Sequence, residues 1–326
     1  MVSIENTIFV VGTGRCGTSI VNSMLGRHSA IFSLPLEGRF IVDSDGLIDL
    51  CESLSTRYDF YRVDNAIKRF DYLMRMTLCG RVSNAFRLWK AGEFVGEERL
   101  KGALRSFYNE LVIGCFDEVT GREYDEFPLP IDLGPSMRLV SRRIGDESKF
   151  MAAARRLIEG LFAEKMQIAK KGILCEKTPL SLLSLPFLRR LYPNCKILHV
   201  KRDPFDVVSS HLEQRWFPSS YGCVKELMMA TYKRWFSLQK TYELQDDWYF
   251  EVKIEDLSRY ERYVKRLFNF LDLKDEGCFR ELDRQKPAKR TAINSDAVSA
   301  RIVEDFSEVR ARMGYGKMGR KVFRAE

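Results

Sequence analysis

The stretch TIFVVGTGRCGTSIVNSMLGR, Thr7 to Arg27, sets the terms on which the rest of the chain is read. Ile8, Phe9, Val10 and Val11 form an unbroken apolar, β-branched run, the pattern of a strand buried in a parallel sheet. Gly12 to Ser19 is a tight glycine-bearing turn, and after it Ile20, Val21, Met24 and Leu25 recur at helical spacing. A strand feeding such a turn into a helix N-terminus gathers several backbone N–H groups at one place, where the helix dipole also favours negative charge. The expectation is a cradle for a phosphate-like anion. The plain alternative is a glycine turn with only a structural duty.

The turn nearly spells the nucleotide-binding pattern G-x-x-x-x-G-K-[ST], with Gly12 and Gly17 as its glycines. Thr18 stands where that pattern has lysine, and Arg15 supplies a cation three residues earlier. The anion expected here is therefore not the tail of ATP.

Composition narrows the field. At 326 residues, 45% hydrophobic and 30% charged, the chain describes a soluble globular protein with room for a real core. Its 53 basic residues against 45 acidic ones favour an anionic ligand. The basic residues are scattered and interleaved with acids, as in Glu97-Glu98-Arg99, and form no aromatic-basic repeat, so nucleic acid is not an expected partner. The eight cysteines show no C-x-x-C pair, and the three histidines, at 28, 199 and 211, show no paired spacing, so no metal is expected. The chain starts almost at its first strand, and no apolar run reaches the roughly 18 residues of a membrane span. A cytoplasmic location with reduced thiols, and no signal peptide, is the expectation.

Along the chain, Ala30 to Ser33 reads as a second short strand, running into the acid-base loop Leu34-Pro35-Leu36-Glu37-Gly38-Arg39. From about Asp45 to Arg143 the character becomes helical, with apolar spacing over Val63–Leu78 and Glu98–Val119 and a proline-bearing loop over Tyr124–Ser136. A further helix is predicted over Met151–Ala169. The sheet pattern resumes at Gly172–Cys175, followed by Glu176-Lys177-Thr178-Pro179, a helix over Ser181–Tyr192 bent at Pro186, and a strand at Lys196–Val200. Later come a long helix over Tyr221–Leu244, a strand over Trp248–Ile254, a helix through Val264–Leu271, a basic loop at Lys286–Arg290, and a last helix over Ser295–Met313.

The segment Lys201 to Ser210 carries the second strong signal. Asp203 is a good N-cap and Pro204 a good first helical residue. Seven residues make about two helical turns, so Ser210 returns to the face of Asp203, and Arg202 at the strand end can converge on it. An arginine and a hydroxyl at one helix entrance suggest a second anion site; a structural salt bridge is the alternative.

Taken together, GTGRCGTS, LPLEGR, CEKTP and KILHVKRDPFDVVSS resemble the sulfotransferase superfamily that uses 3′-phosphoadenosine 5′-phosphosulfate (PAPS). The first motif resembles that family's 5′-phosphosulfate loop and the last its 3′-phosphate motif, an arginine and a serine eight apart, matched by Arg202 and Ser210. The resemblance covers residues 6–40 and 172–215 well, and 246–273 and 286–316 loosely. Within the superfamily the likeness is greatest to the tyrosylprotein-sulfotransferase-like branch, and there Glu37 and Arg39 fall on a Glu and Arg of the loop after the second strand. The region between Glu37 and Lys177 is longer than in that branch, which leaves the acceptor open.

The resemblance implies a P-loop-like three-layer α/β sandwich with a central parallel sheet, a single domain over 1–326 with a helical acceptor-side insertion at about 45–150. It implies PAPS as co-substrate, no metal, and an acceptor hydroxyl or amine on a carbohydrate, lipid, small alcohol or peptide. Glu37 takes the role of general base, with Arg15 and Lys177 as cations on the sulfuryl group and Arg39 on the substrate side. Cys16 and Gly17 through their backbone, with Thr18 and Ser19, hold the 5′-phosphate; Arg202 and Ser210 hold the 3′-phosphate; Ser299 is the nearest match to a further cofactor-contacting serine. Two rival readings stay open at this point: a non-catalytic nucleotide-binding or scaffold protein on the same fold, and a P-loop kinase, which would need magnesium and prefer ATP.

Overall fold

The structure is a computed structural model and describes residues 4–35, 37–79, 94–124, 136–258, 260–280 and 296–316. In chain order it forms β1 (Asn6–Gly12), α1 (Thr18–Leu25), β2 (Ile31–Ser33), α2 (Leu47–Leu54), α3 (Phe60–Cys79), α4 (Glu97–Leu111), β3 (Val112–Asp117), β4 (Glu123–Tyr124) and β5 (Met137–Ser141). There follow α5 (Glu147–Ile168), β6 (Ile173–Glu176), a 3-10 turn (Pro179–Ser184), α6 (Leu185–Leu191), β7 (Lys196–Lys201), α7 (Pro204–Leu212) and α8 (Tyr221–Thr241). The chain closes with β8 (Tyr249–Lys253), a second 3-10 turn (Ile254–Ser258), α9 (Tyr260–Phe270), α10 (Asp296–Asp305) and α11 (Ser307–Arg312). The mixed α/β class with parallel strands, and a glycine turn between the first strand and the first helix, is as the sequence implied.

Two compact units make up the chain. The first comprises Met1–Thr7, Ser29–Glu176 and Pro186–Cys195. In it β2 pairs in parallel with β6, Ile31 opposite Ile173 and Ser33 opposite Cys175. Helices α3, α4 and α5 bury an aromatic seam, with Phe70 and Phe150 on either side of Phe107 at centroid distances of 5.7 and 6.1 Å.

The insertion expected to be helical is only partly so. Its residues Val112–Asp117, counted with the preceding helix by apolar spacing, form β3, the middle strand of an antiparallel sheet ordered β4-β3-β5. The β-branched pair Val112-Ile113 followed by Gly114 disfavours another helical turn, and the partner strand Met137–Ser141 lies too far along the chain for local spacing to disclose it. Buried Asp64 on α3 ties this sheet down: its carboxylate accepts from the Leu139 backbone N–H (2.9 Å), Lys68 Nζ (2.9 Å) and Arg138 Nη1 (3.4 Å). The proline-bearing loop falls mostly outside the described residues, as does the basic loop at Lys286–Arg290.

The second unit comprises Ile8–His28, Lys177–Leu185 and Lys196–Glu326. Its core is the parallel set β1-β7-β8, in which Ile8 to Gly12 lie opposite Lys196 to Val200, and Ile197 to Lys201 opposite Tyr249 to Lys253. Phe9, Val10, Val11, Ile197, Leu198, Val200 and Val252 are all fully buried, which is why these strands read as continuous apolar runs. Where one helix over Ser181–Tyr192 was expected, a 3-10 turn precedes α6. The last helix is likewise two, α10 and α11, divided at Phe306, whose ring is fully buried.

The turn after β1 needs its glycines. A Cβ on Gly12 would collide with Cys16 Sγ and stand 2.7 Å from the Val200 carbonyl, so the strand ends can approach only here. Gly17 has φ +100°, and a Cβ there would meet Ile254 Cδ1 at 2.7 Å. Two outcomes follow from these packings. Asp64→Ala leaves a buried strand N–H and two half-buried cations, Lys68 and Arg138, without this partner, and is expected to cost about 2 kcal/mol; an unchanged urea midpoint would contradict the tie. Gly17→Ala is expected to destabilise by more than about 2 kcal/mol. Adding Ile254→Ala should remove only the steric share, because the left-handed backbone stays strained; full recovery in the double variant would contradict the strain.

Candidate functional site

The glycine turn is wound left-handed at three places: Gly14 (φ +81°), Arg15 (φ +52°) and Gly17 (φ +100°). For Arg15 that conformation is disfavoured by roughly 1–2 kcal/mol, so the surrounding structure must hold it. Gly17 caps α1 without any side-chain bond to the helix's first N–H groups, while its carbonyl accepts from Ile20 (3.0 Å) and Val21 (3.2 Å). Donors at this helix start are thus available to an anion. Thr18 is buried and Ser19 exposed. Burial pushes the Cys16 thiol up to about 11, so it stays protonated and inert near neutral pH.

The second motif comes to meet the first. Arg15, exposed, donates from Nε to Ser210 Oγ at 3.0 Å. Arg202 donates from Nη1 to the Arg15 carbonyl at 3.3 Å, and its Nε stands 3.7 Å from Asp206 Oδ2. Two arginines and a buried serine, separated by nearly 200 residues of chain, therefore occupy one place in the second unit.

Asp203 builds the entrance of α7 as the sequence implied, its Oδ1 accepting from the Phe205 N–H at 3.0 Å. A further arrangement was not read from sequence. Arg310 on α11, 8% exposed, grips both oxygens of Asp203 at 2.7 and 2.5 Å and donates to the Gly316 carbonyl at 3.1 Å. Glu255 accepts from the Asp203 N–H (3.0 Å) and from Tyr315 Oη (2.9 Å). This bidentate pair and its carboxylate neighbour fix the start of α7 from two later elements. Arg310 lies in the chain's last helical pattern and Tyr315 just past its end, but nothing local pairs Arg310 with Asp203 or Tyr315 with Glu255.

Lys177 and Thr178, buried, lead into the first 3-10 turn and belong to this second unit. Ser299 is buried on α10, and α10 and α11 both pack against α7. Glu37 and Arg39 belong to the first unit. Glu37 is half-buried after β2, and the next residue, Gly38, donates its N–H to Glu176 Oε1 at 2.6 Å. Arg39 is engaged by Asp43 at 2.5 Å. Burial raises the Asp43 carboxyl, against the pull of Arg39, and the Glu37 charge adds to the rise. Glu176, quoted in the sequence motif but passed over, thus holds the loop that carries Glu37. Among the described residues, no group of three His, Cys, Asp or Glu side chains is arranged to hold a metal ion, and no helix is long and apolar enough to cross a membrane.

Comparison with known proteins follows the same line. Residues 137–277 match the family model described as the sulfotransferase family. A Caenorhabditis elegans protein named "Putative protein-tyrosine sulfotransferase" is 30% identical over 131 residues, which is 38% of this chain. The matched stretch spans about half (48%) of that relative's length. Solved structures with some likeness include the sulfotransferase domain from the curacin biosynthetic pathway, at 16% identity and TM-score 0.45 over 91% of this chain and 83% of the other. Another is the sulfotransferase domain from the Synechococcus PCC 7002 olefin synthase, at 15% identity and TM-score 0.46 over 94% and 96%. The family match takes in the Lys196–Ser210 motif, so over residues 137–277 the chain is similar to the sulfotransferase family.

Proposed function

We propose that the chain transfers a sulfuryl group from PAPS to an acceptor hydroxyl or amine. The observation that carries the reading is the convergence of Arg15, Arg202 and Ser210 beside an uncapped helix start. PAPS brings the sulfuryl group on a 5′-phosphate and a second, 3′-phosphate that sets it apart from ATP. Its two anionic ends call for two grips. The turn from Cys16 to Ser19, with the start of α1, would hold the 5′ end. Arg202 and Ser210 would hold the 3′-phosphate through charge-assisted and hydroxyl bonds. The Arg15–Ser210 bond is what an incoming anion has to displace.

The chemistry assigned to this chain's own groups is brief. Glu37 would remove the acceptor's proton, a role typically contributing about 10²–10⁴-fold. Arg15 and Lys177 would offset negative charge on the sulfuryl oxygens and on the departing phosphate oxygen, where preorganised cations lower the barrier most. Arg39, held by Asp43, would position the acceptor side, and Ser299 would add a contact to the nucleotide. The acceptor itself belongs to the class of hydroxyl- or amine-bearing molecules, whether carbohydrate, lipid, small alcohol or peptide. A cytoplasmic location is part of the proposal, supported by Cys16, Cys51, Cys115, Cys175, Cys195, Cys223 and Cys278 all being free thiols.

Two variants test the assignments. With Glu37→Gln, sulfuryl transfer followed by mass spectrometry should fall at least about 100-fold while adenosine 3′,5′-bisphosphate still binds; turnover within about threefold of wild type would remove Glu37 as the base. With Arg202→Ala, adenosine 3′,5′-bisphosphate should bind about tenfold or more weakly, the loss of a charged bond, and adenosine 5′-monophosphate should bind almost unchanged. Equal losses for both nucleotides would count against a 3′-phosphate site.

A further inference from the structure

One buried group beside the glycine turn has no part in the reaction proposed above. His211 follows Ser210 on α7 and is 5% exposed; neither ring nitrogen makes a well-formed hydrogen bond, the Thr13 backbone being the one hydrogen-bonding group that acts on the ring. The ring lies against the turn, since a Cβ built on Gly14 would stand 3.4 Å from its Nε2. Phe217, with ring centroids 4.4 Å apart, and Trp216, edge-on at 6.2 Å, cover its other sides. The other two histidines each make at least one bond: His199 Nδ1 pairs with Tyr249 Oη at 2.6 Å, leaving its buried Nε2 unpaired, and His28 Nε2 pairs with the Lys274 carbonyl at 3.0 Å. Polar atoms buried without partners are uncommon enough to need a reason.

Burial and then the Arg15 charge depress the His211 imidazole to about 4, and the Thr13 backbone only partly opposes them. Arg15, from the turn, is the charged group acting on the ring; the residues packed against it from the 214–217 side, Trp216 and Phe217, bring no charge. The ring is therefore neutral near pH 7. An anion settled on the turn would offset the Arg15 charge and add negative charge in a poorly solvated place, and both favour the protonated ring against the effect of burial.

We propose that His211 takes up a proton when a phosphate-bearing anion binds the Gly12–Gly17 turn, so that a second cation, formed only in the complex, joins Arg15. This rests on the reading of the turn as a phosphate site. The sign of the linkage is fixed. A group protonated more readily in the complex adds affinity that is complete below its free-state midpoint near 4 and disappears as pH rises through its higher bound-state midpoint. Between the two midpoints the His211 contribution changes by up to about tenfold per pH unit.

Only three histidines are present, so ring carbon resonances of the full chain, labelled at histidine, can be followed one by one through a pH titration. The resonance missing from His211→Gln should titrate near 4 in the free protein, and at least about two units higher with saturating adenosine 3′,5′-bisphosphate. If that variant does not fold, contacts to the Phe217 ring assign the resonance in the unaltered chain. Calorimetry in two buffers of different ionisation heat should show greater proton uptake on binding by wild type than by His211→Gln, a comparison that cancels the nucleotide's own protonation. Binding with an unmoved His211 midpoint, or with equal proton uptake in both proteins, would overturn the inference and leave the phosphate site standing. No binding of the nucleotide at all would overturn both.

Discussion

Parallel pairing of β1 with β7, in register from Ile8 opposite Lys196 to Gly12 opposite Val200, is the constraint on which the site depends. Parallel strands end at the same edge of a sheet, and ligands of α/β folds gather outside their carboxyl ends. In this chain the two strands end in the turn that carries Arg15 and in the helix entrance that carries Arg202. The contact between these residues is then a consequence of register. Gly12 is part of that constraint, because only a residue without a Cβ lets the strand ends close to this distance.

The convergence puts cations close together and holds one residue in an unfavourable conformation. Arg15 keeps a left-handed backbone, and its guanidinium finds Ser210 and its carbonyl Arg202. The helix beneath is secured from elsewhere: Asp203 is clamped by Arg310, and Glu255 binds both the Asp203 N–H and Tyr315. Strain at a binding turn persists only where its surroundings are rigid, and these buried and half-buried pairs supply that rigidity. An anion entering the cluster would be met by donors held on a fixed backbone, with the Arg15–Ser210 bond to exchange.

What sequence could disclose followed from how local each signal was. The β1 turn, the Asp203-Pro204 helix start and the apolar strands are written in contiguous residues, and all appear where expected. The seven-residue interval from Asp203 to Ser210 was legible for the same reason, as helical geometry carries it, whereas the pairing of Arg202 with Ser210 came from the family resemblance. The Asp203–Arg310 clamp, the β3–β5 pairing and the placing of His211 against Gly14 depend on residues far apart in the chain. Apolar spacing even misled at Val112–Asp117, where Phe116 continues the helical pattern and non-local pairing turns the segment into a strand. Glu37 illustrates a middle case: its loop was legible, whereas the bond from Gly38 to Glu176 that holds the loop was not.

The central claim is that Arg15 and Arg202 bind opposite phosphate-bearing ends of one nucleotide. An experimental structure of the complex with adenosine 3′,5′-bisphosphate tests it directly. The account predicts the 5′-phosphate on the turn from Cys16 to Ser19 and the 3′-phosphate bonded to both Arg202 and Ser210. A nucleotide bound elsewhere, or one whose 3′-phosphate points away from Arg202, would contradict it.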